Sequence, residues 1–202
     1  SSESLSESAS GSESSSSSES TSSSEGKKFE AHYHVDKNGG GTLSVGGDTG
    51  NNSVTYTVTD PGKSITVTAV PADGYVFVKW SDGLTSKTRT DTDFKQNLDV
   101  TAVFGAASVH ITSEGKGAVG SSYTFKANLS GKYAKAEHLR WYANGQEVTQ
   151  AAGKSTITVV VDSSMVNASY KIHAVVTYND CKVSSNTLTI TIGLSLIHIS
   201  EP

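Results

Sequence analysis

Apolar and polar residues alternate along most of the chain from residue 29 onward, and this pattern predicts β-strands rather than helices. The stretch around Ile65 is typical, because Ile65, Val67 and Ala69 alternate with serine and threonine. The same alternation recurs between residues 98 and 104. Only residues 92–99 leave room for a helical turn. We therefore expect an all-β protein.

A turn-rich motif interrupts the first series of predicted strands. Residues 69–83 read A-V-P-A-D-G-Y-V-F-V-K-W-S-D-G, in which proline and glycine favour a turn before three aromatic residues, Tyr75, Phe77 and Trp80. An alternating strand that ends at Phe104 closes the unit. This order resembles the divergent internalin B-repeat, a small module of bacterial surface proteins, over residues 29–104. The resemblance implies a predominantly β module, β-grasp-like in one interpretation, and an extracellular location.

A second series of short strands follows between residues 107 and 193. Trp141 lies on its third predicted strand and Tyr170 opens the sixth, while Asn144-Gly145 predicts a type I′ hairpin. This spacing resembles the immunoglobulin-like domains of bacteria and phages. The resemblance implies a β-sandwich with Trp141 in its core and Tyr170 at the tyrosine corner. Ile172 stands where antibody domains have a disulfide cysteine, so packing has to replace that bridge.

Both ends of the chain differ in composition from these two modules. Residues 1–25 contain sixteen serines and five glutamates, with Leu5 and Ala9 as the only apolar side chains. This composition predicts disorder, and it resembles the serine-rich stalks of adhesins, so residues 1–28 are interpreted as a stalk or a plain linker. Residues 194–202 resemble a translated sequencing adapter and are left out of the fold prediction. We expect the chain to be a piece of a longer protein.

The charge of the chain changes once its ends are set aside. The formal net charge is −4, but five of the 20 acidic residues lie in residues 1–25 and Glu201 is another. Residues 26–193 therefore carry 14 acidic and 16 basic residues. This near-neutral body gives no reason to expect binding to nucleic acid. No segment has the apolar length of a membrane span, so we expect no membrane insertion.

Cys181 is the only cysteine, which excludes an intrachain disulfide and a cysteine-based metal site. It lies beside the predicted Asn179-Asp180 turn, and turn tips are usually exposed. We therefore expect a free, exposed thiol at Cys181.

Two groups of side chains have metal-ligating chemistry, but their spacing is unspecific. His32 and His34 share a strand face with Glu30 and Asp36, which is also what a solvated outer face looks like. A second group offers oxygen ligands and consists of Asp91, Asp93, Asn97 and Asp99. This group lacks the glycine and the terminal glutamate of a helix-loop-helix calcium site. We expect no metal and no cofactor.

The aromatic trio of Tyr75, Phe77 and Trp80 has two interpretations. It could stack on sugar rings as a ligand-contact surface, but a small module needs large side chains for its core. We therefore assign Trp80 and Phe104 to the core, as we do Trp141 and Tyr170.

No catalytic constellation stands out in the sequence. The chain has no G-x-S-x-G nucleophile elbow and its histidines are scattered, so we expect no enzyme activity. Lys126 and Asn186 would be the partners of a Lys–Asn crosslink, but Lys126 alternates with core residues and should face solvent.

The leading functional prediction is a non-catalytic extracellular spacer or adhesion module of a bacterial surface or secreted protein. We expect a monomer whose partners would be host or cell-surface proteins or glycans. Two alternatives stay open: an accessory immunoglobulin-like domain of a phage virion or tail fibre, and a non-catalytic appendage of a secreted polysaccharide-degrading enzyme. We expect an extracellular location at the cell surface or cell wall; for the phage alternative the location is the virion.

Overall fold

The computed structural model describes residues 26–193, so the predictions for residues 1–25 and 194–202 lie outside the described residues. Within this range the protein is all-β, as predicted, with three short 3₁₀ turns at Ala136–His138, Thr149–Ala151 and Ser163–Met165. The strands of the first module are β1 (Phe29–Val35), β2 (Gly41–Val45), β3 (Asp48–Asn51), β4 (Ser53–Val58), β5 (Ile65–Pro71), β6 (Tyr75–Trp80), β7 (Thr88–Asp91) and β8 (Leu98–Ala106). Those of the second module are β9 (Ser108–Gly115), β10 (Ser122–Ser130), β11 (Leu139–Ala143), β12 (Gln146–Glu147), β13 (Thr156–Val160), β14 (Ser169–Tyr178), β15 (Cys181–Ser184) and β16 (Leu188–Thr191).

The first module consists of two four-stranded sheets. One has the order β4-β1-β8-β6, with β1 and β8 parallel at its centre and antiparallel pairs on either side. A mixed sheet with two parallel strands at its centre agrees with the β-grasp-like interpretation. The second sheet, with the order β3-β2-β5-β7, supplies Leu43 and Val67 to the same core as Tyr33 and Val100, where a β-grasp domain would have a helix.

Two strands of this second sheet, β3 and β7, lie in stretches without the alternation of apolar residues that predicts strands. Gly46 and Gly47 have φ values of 56° and 87°, which fit a tight turn between β2 and β3. Strand β7 pairs with β5 and carries Arg89 inward where an apolar residue would be expected. Because the inward residue is charged, β7 lacks the apolar alternation that reveals a strand. Residues 92–97 contain no helical turn.

The second module is an antiparallel sandwich. Strands β13-β10-β9 form one sheet, and β12-β11-β14 form the other together with β15 and β16, both of which pair with β14. This arrangement is that of an immunoglobulin-like sandwich, with Trp141 on the third strand of the module. Asn144 and Gly145 join β11 to β12 with φ values of 51° and 79°, which confirms the predicted type I′ turn.

The stretch after the Asn179-Asp180 turn is divided into β15 and β16 by residues 185–187. The Ser185 hydroxyl accepts a hydrogen bond from the Ala174 N–H at 2.8 Å. The Asn186 amide bonds the N–H and the carbonyl of Ile111 at 2.8 and 3.0 Å. The interruption therefore joins the two sheets of the sandwich through side-chain hydrogen bonds.

Candidate functional site at the module junction

The aromatic trio does not form one surface. Phe77 and Trp80 are fully buried, whereas Tyr75 is 37% exposed. The Trp80 indole donates to the Ser86 carbonyl at 3.0 Å, and its ring lies 5.7 Å from that of Phe77. The interpretation of all three residues as a ligand-contact platform is therefore wrong for Phe77 and Trp80, because a shift of strand register between Phe77 and Lys79 turns both rings into the core.

The other residues assigned to the cores differ in burial. Phe104 is 8% exposed, and Trp141 is fully buried with its indole donating to the Lys154 carbonyl at 2.7 Å. Tyr170 is only half-buried, so it lies at the margin of its core. It lines an apolar cavity of about 220 Å³ between the two sheets, together with Met165 and Ile190.

A buried charge, which the sequence pattern gave no sign of, supports the core of the first module. Arg89 is 5% exposed and donates to Asp82 at 3.0 and 3.2 Å and to Asp91 at 2.8 Å. The Arg89 guanidinium also lies 5.1 Å from the centre of the Trp80 ring. Tyr33 donates to Asp91 at 2.9 Å, so five side chains form one network. The two carboxylates and the aromatic ring offset the free-energy cost of removing the Arg89 charge from water.

The pKa values in this network follow from burial and charge. Burial disfavours a charged Arg89, but the hydrogen bonds and charges of Asp91 and Asp82 outweigh it and raise the pKa of the guanidinium further. The hydrogen bond from Arg89 lowers the pKa of Asp82. Burial, together with the hydrogen bond to Asp91, raises the pKa of Tyr33. These shifts favour a charged Arg89, an ionised Asp82 and a neutral Tyr33.

The candidate metal ligands are engaged with neighbouring strands. His34 contacts Asp99 at 2.5 Å and His32 contacts Thr55 at 3.2 Å, while Glu30 accepts from Thr57 at 2.9 Å. Within residues 26–193 no cluster of three or more histidine, cysteine or acidic side chains could hold a metal ion.

Three of the four calcium candidates, Asp91, Asn97 and Asp99, are likewise bonded to other groups. Asp91 is paired with Arg89, and the Asn97 side chain accepts from the Glu30 N–H at 2.9 Å. Of the two residues considered for a Lys–Asn crosslink, Lys126 is exposed to solvent, and the Asn186 side chain is hydrogen-bonded to the backbone of Ile111.

The two modules meet without a linker. Strand β8 ends at Ala106 and β9 begins at Ser108, so only Ala107 lies between them, and it is 1% exposed. Its N–H donates to the Gly74 carbonyl at 2.9 Å. A connection of one buried residue leaves the modules little freedom to move relative to each other.

The turn between β14 and β15 packs against the first module. The Asn179 side-chain amide donates to the carbonyls of Phe77 and Thr85, at 3.2 and 2.7 Å. The Phe77 N–H donates to the sulfur of Cys181 at 3.4 Å. The prediction of an exposed thiol at Cys181 is therefore wrong: the thiol is 6% exposed, because its turn packs on another module instead of facing solvent.

Tyr133 closes the other side of the junction. A Cβ atom at Gly105 would lie 2.1 Å from the Tyr133 ring, so only glycine allows this approach. The Tyr133 ring also lies 4.8 Å from the ring of Tyr178. Sequence reasoning missed Tyr133 and the docking role of Asn179, although the glycine at the module boundary is a signal of close packing.

A cleft of about 720 Å³ opens beside this junction. One wall comes from the turn before β6 and from Lys87, and the other comes from β15 and the preceding turn. The polar and aromatic side chains that line it are Asp73, Tyr75, Lys87, Asp180, Lys182 and Ser184.

Residues 34–108 match the family model described as the divergent InlB B-repeat domain, which is less than half of the chain. This match confirms the resemblance that the motif around Trp80 indicates. The first module is therefore similar to this class of repeat. No curated protein matches the chain.

Comparison with solved structures gives the fibronectin(III)-like modules of Clostridium thermocellum CbhA, at 14% sequence identity and a TM-score of 0.34. The match covers 88% of this chain and 92% of that chain. A TM-score this low carries no argument, so the immunoglobulin-like arrangement of the second module is based on its own strand order. Among the described residues, no helix is both long enough and apolar enough to span a membrane.

Proposed function

We propose that residues 26–193 act as a non-catalytic extracellular spacer, whose two modules are held in a fixed orientation to present a neighbouring part of a larger protein. The observation that carries this proposal is the junction. A one-residue connection, the Asn179 amide and the Tyr133 ring each restrain the modules at a different point.

The packing at the junction supports a stiff connection. Buried side chains of both modules belong to one hydrophobic cluster, which continues from Phe104 through Ala107 to Val109. Modules that share a continuous core lose more contacts on separation than modules joined by an exposed linker. A spacer built in this way transmits orientation and force between its ends.

The match of residues 34–108 to the divergent InlB B-repeat supports an extracellular location. Antibodies against residues 26–193 should label intact cells of the producing organism without permeabilisation. Labelling only after lysis would contradict an extracellular role. Labelling of purified phage particles would instead favour a virion accessory.

Rotational diffusion measured by NMR relaxation tests the stiff junction directly. If the modules are rigidly coupled, amides of both modules should report one tumbling time, that of the whole body. A shorter tumbling time for each module, typical of a domain of half the size, would contradict the proposal.

Two glycine variants provide the matched comparison. Asn179 and Asn144 both open two-residue turns with positive φ, of 46° and 51°, and glycine adopts such angles without strain. We expect Asn179→Gly to increase the independent motion of the modules, because it removes the side-chain bonds to Phe77 and Thr85. Asn144→Gly should leave the coupling unchanged.

A further inference from the structure

We propose that the cleft between the modules binds a segment of a neutral polysaccharide, with one sugar ring stacked on Tyr75. This inference goes beyond the spacer role, because a spacer needs no ligand. It rests on the exposed ring of Tyr75, on the balanced charges of the cleft and on the fixed position of its two walls.

Tyr75 is an exposed aromatic ring on a rigid support. It is 37% exposed, opens strand β6 and pairs with Ala106 at the module boundary. A Cβ atom at Gly40 would lie 2.6 Å from the Tyr75 ring, so the ring packs directly on the glycine backbone. Such support fixes the ring before a ligand arrives, which reduces the entropy cost of binding. The flat apolar body and polar tip of tyrosine suit the CH groups and hydroxyls of a sugar.

The charges of the cleft favour a neutral, hydroxyl-rich ligand. Each wall has one lysine and one aspartate, Lys87 with Asp73 on the first module and Lys182 with Asp180 on the second, so cations and anions are equal in number. Among residues 26–193, none of these four side chains forms an ion pair. Ammonium groups donate hydrogen bonds and carboxylates accept them, and a sugar hydroxyl can do both. A strongly charged ligand of either sign would be repelled by the two cleft side chains that have the same sign.

Both walls of the cleft are held by the junction itself. Asp180 and Lys182 flank Cys181, whose sulfur accepts from the Phe77 N–H, and Asn179 fixes the same turn on the first module. On the opposite wall, Gly74 accepts a hydrogen bond from Ala107. A volume of about 720 Å³ lies within the usual range of small-ligand sites, which also occur preferentially between domains. The cleft is therefore formed before binding and is large enough for a short stretch of polysaccharide.

Affinity electrophoresis of the full chain in native gels tests the proposal, with xylan, mixed-linkage β-glucan, glucomannan and galactan as the probes. We expect at least one of these neutral polysaccharides to retard the protein. Tyr75→Ala should weaken the apparent affinity about tenfold or more, whereas Tyr75→Phe, which retains the ring, should bind nearly as well as the wild type. Lys87→Gln should also weaken retardation through the loss of a charged donor.

The matched control is Tyr142→Ala, which removes a tyrosine stacked on His173 in the second module, away from the cleft. Thermal unfolding of each variant shows whether it is folded, and Lys87→Gln tests the cleft without removing a large side chain. Retardation by none of the four polysaccharides would overturn the proposal. So would retardation that Tyr75→Ala and Lys87→Gln leave unchanged. Neither result affects the spacer proposal, because rotational diffusion is measured without saccharide.

Discussion

At the scale of single residues, Trp80 shows why an aromatic residue in a small module is so often structural. Its ring packs edge-on against Tyr33 at 6.4 Å, and Arg89 lies above it. The indole N–H is satisfied by the Ser86 carbonyl. A side chain with all its surfaces occupied has none left for a ligand, whereas Tyr75 five positions earlier has more than a third of its surface free.

Replacing Trp80 should therefore affect stability rather than binding. We expect Trp80→Ala to lower the free energy of unfolding by about 3–5 kcal/mol, since it leaves a large cavity and uncovers the Arg89 charge. Urea denaturation followed by circular dichroism measures the change. Tyr75→Ala serves as the comparison and should cost clearly less. Equal losses for the two variants would contradict the difference in burial on which this prediction depends.

The pairing of Asp82 with Arg89 predicts a dependence of stability on pH. The hydrogen bond from Arg89 lowers the pKa of Asp82 in the folded protein, so the pair contributes stability above the unfolded pKa of about 3.9. This contribution is lost as the pH falls through the lower, folded pKa. Urea midpoints measured from pH 7 down to pH 2 should fall less steeply for Asp82→Asn than for the wild type. Parallel curves would show that Asp82 does not contribute to acid unfolding.

The burial of Cys181 predicts a thiol that is protected by the junction. The folded protein should react slowly with a maleimide and rapidly after denaturation, because the sulfur is covered by the first module. Asn179→Gly should accelerate labelling of the folded protein, whereas Asn144→Gly should not. Fast labelling of the wild type would mean that the turn is not docked in solution.

At the scale of elements, the sequence pattern predicted those strands that bury apolar residues on one face. It also placed the turns at Asn144-Gly145 and Asn179-Asp180, since both sites have residues that tolerate positive φ. Strands β3 and β7 escaped prediction because neither has an apolar alternation. Strand β7 is held instead by hydroxyl pairs across the sheet, such as Thr66 with Thr90 at 2.8 Å.

The candidate site could be predicted less well than the strands, for a different reason. The sequence grouped Tyr75, Phe77 and Trp80 because they lie within six positions. In a regular strand alternate residues share a face, which would place Trp80 on the face opposite Phe77. The register shift between Phe77 and Lys79 breaks this rule, and nothing in the local sequence marks it. The cleft itself joins residues about a hundred positions apart, so no local pattern could reveal it.

At the scale of the whole molecule, the junction turns two small folds into one body. Each module has its own tryptophan, and each tryptophan is fully buried. The contacts of Asn179 and Tyr133 cross the boundary, so either module should lose some of its stability when the other unfolds. The sequence of residues 105–107 shows that the connection is short and contains a glycine, but not which residues pack across it.

The two tryptophans allow this coupling to be measured. In Trp80→Phe the fluorescence reports on the second module through Trp141, and in Trp141→Phe it reports on the first through Trp80. We expect the two probes, each corrected for the cost of its own substitution, to follow one urea transition, because unfolding either module exposes the shared junction. Adding Asn179→Gly and Tyr133→Ala should separate the curves, since these changes remove the crossing hydrogen bonds and the ring against Gly105. Adding Asn144→Gly alone should keep the curves together. Two separate transitions in the otherwise unaltered chain would show that the modules fold independently and that the junction is too weak to orient them.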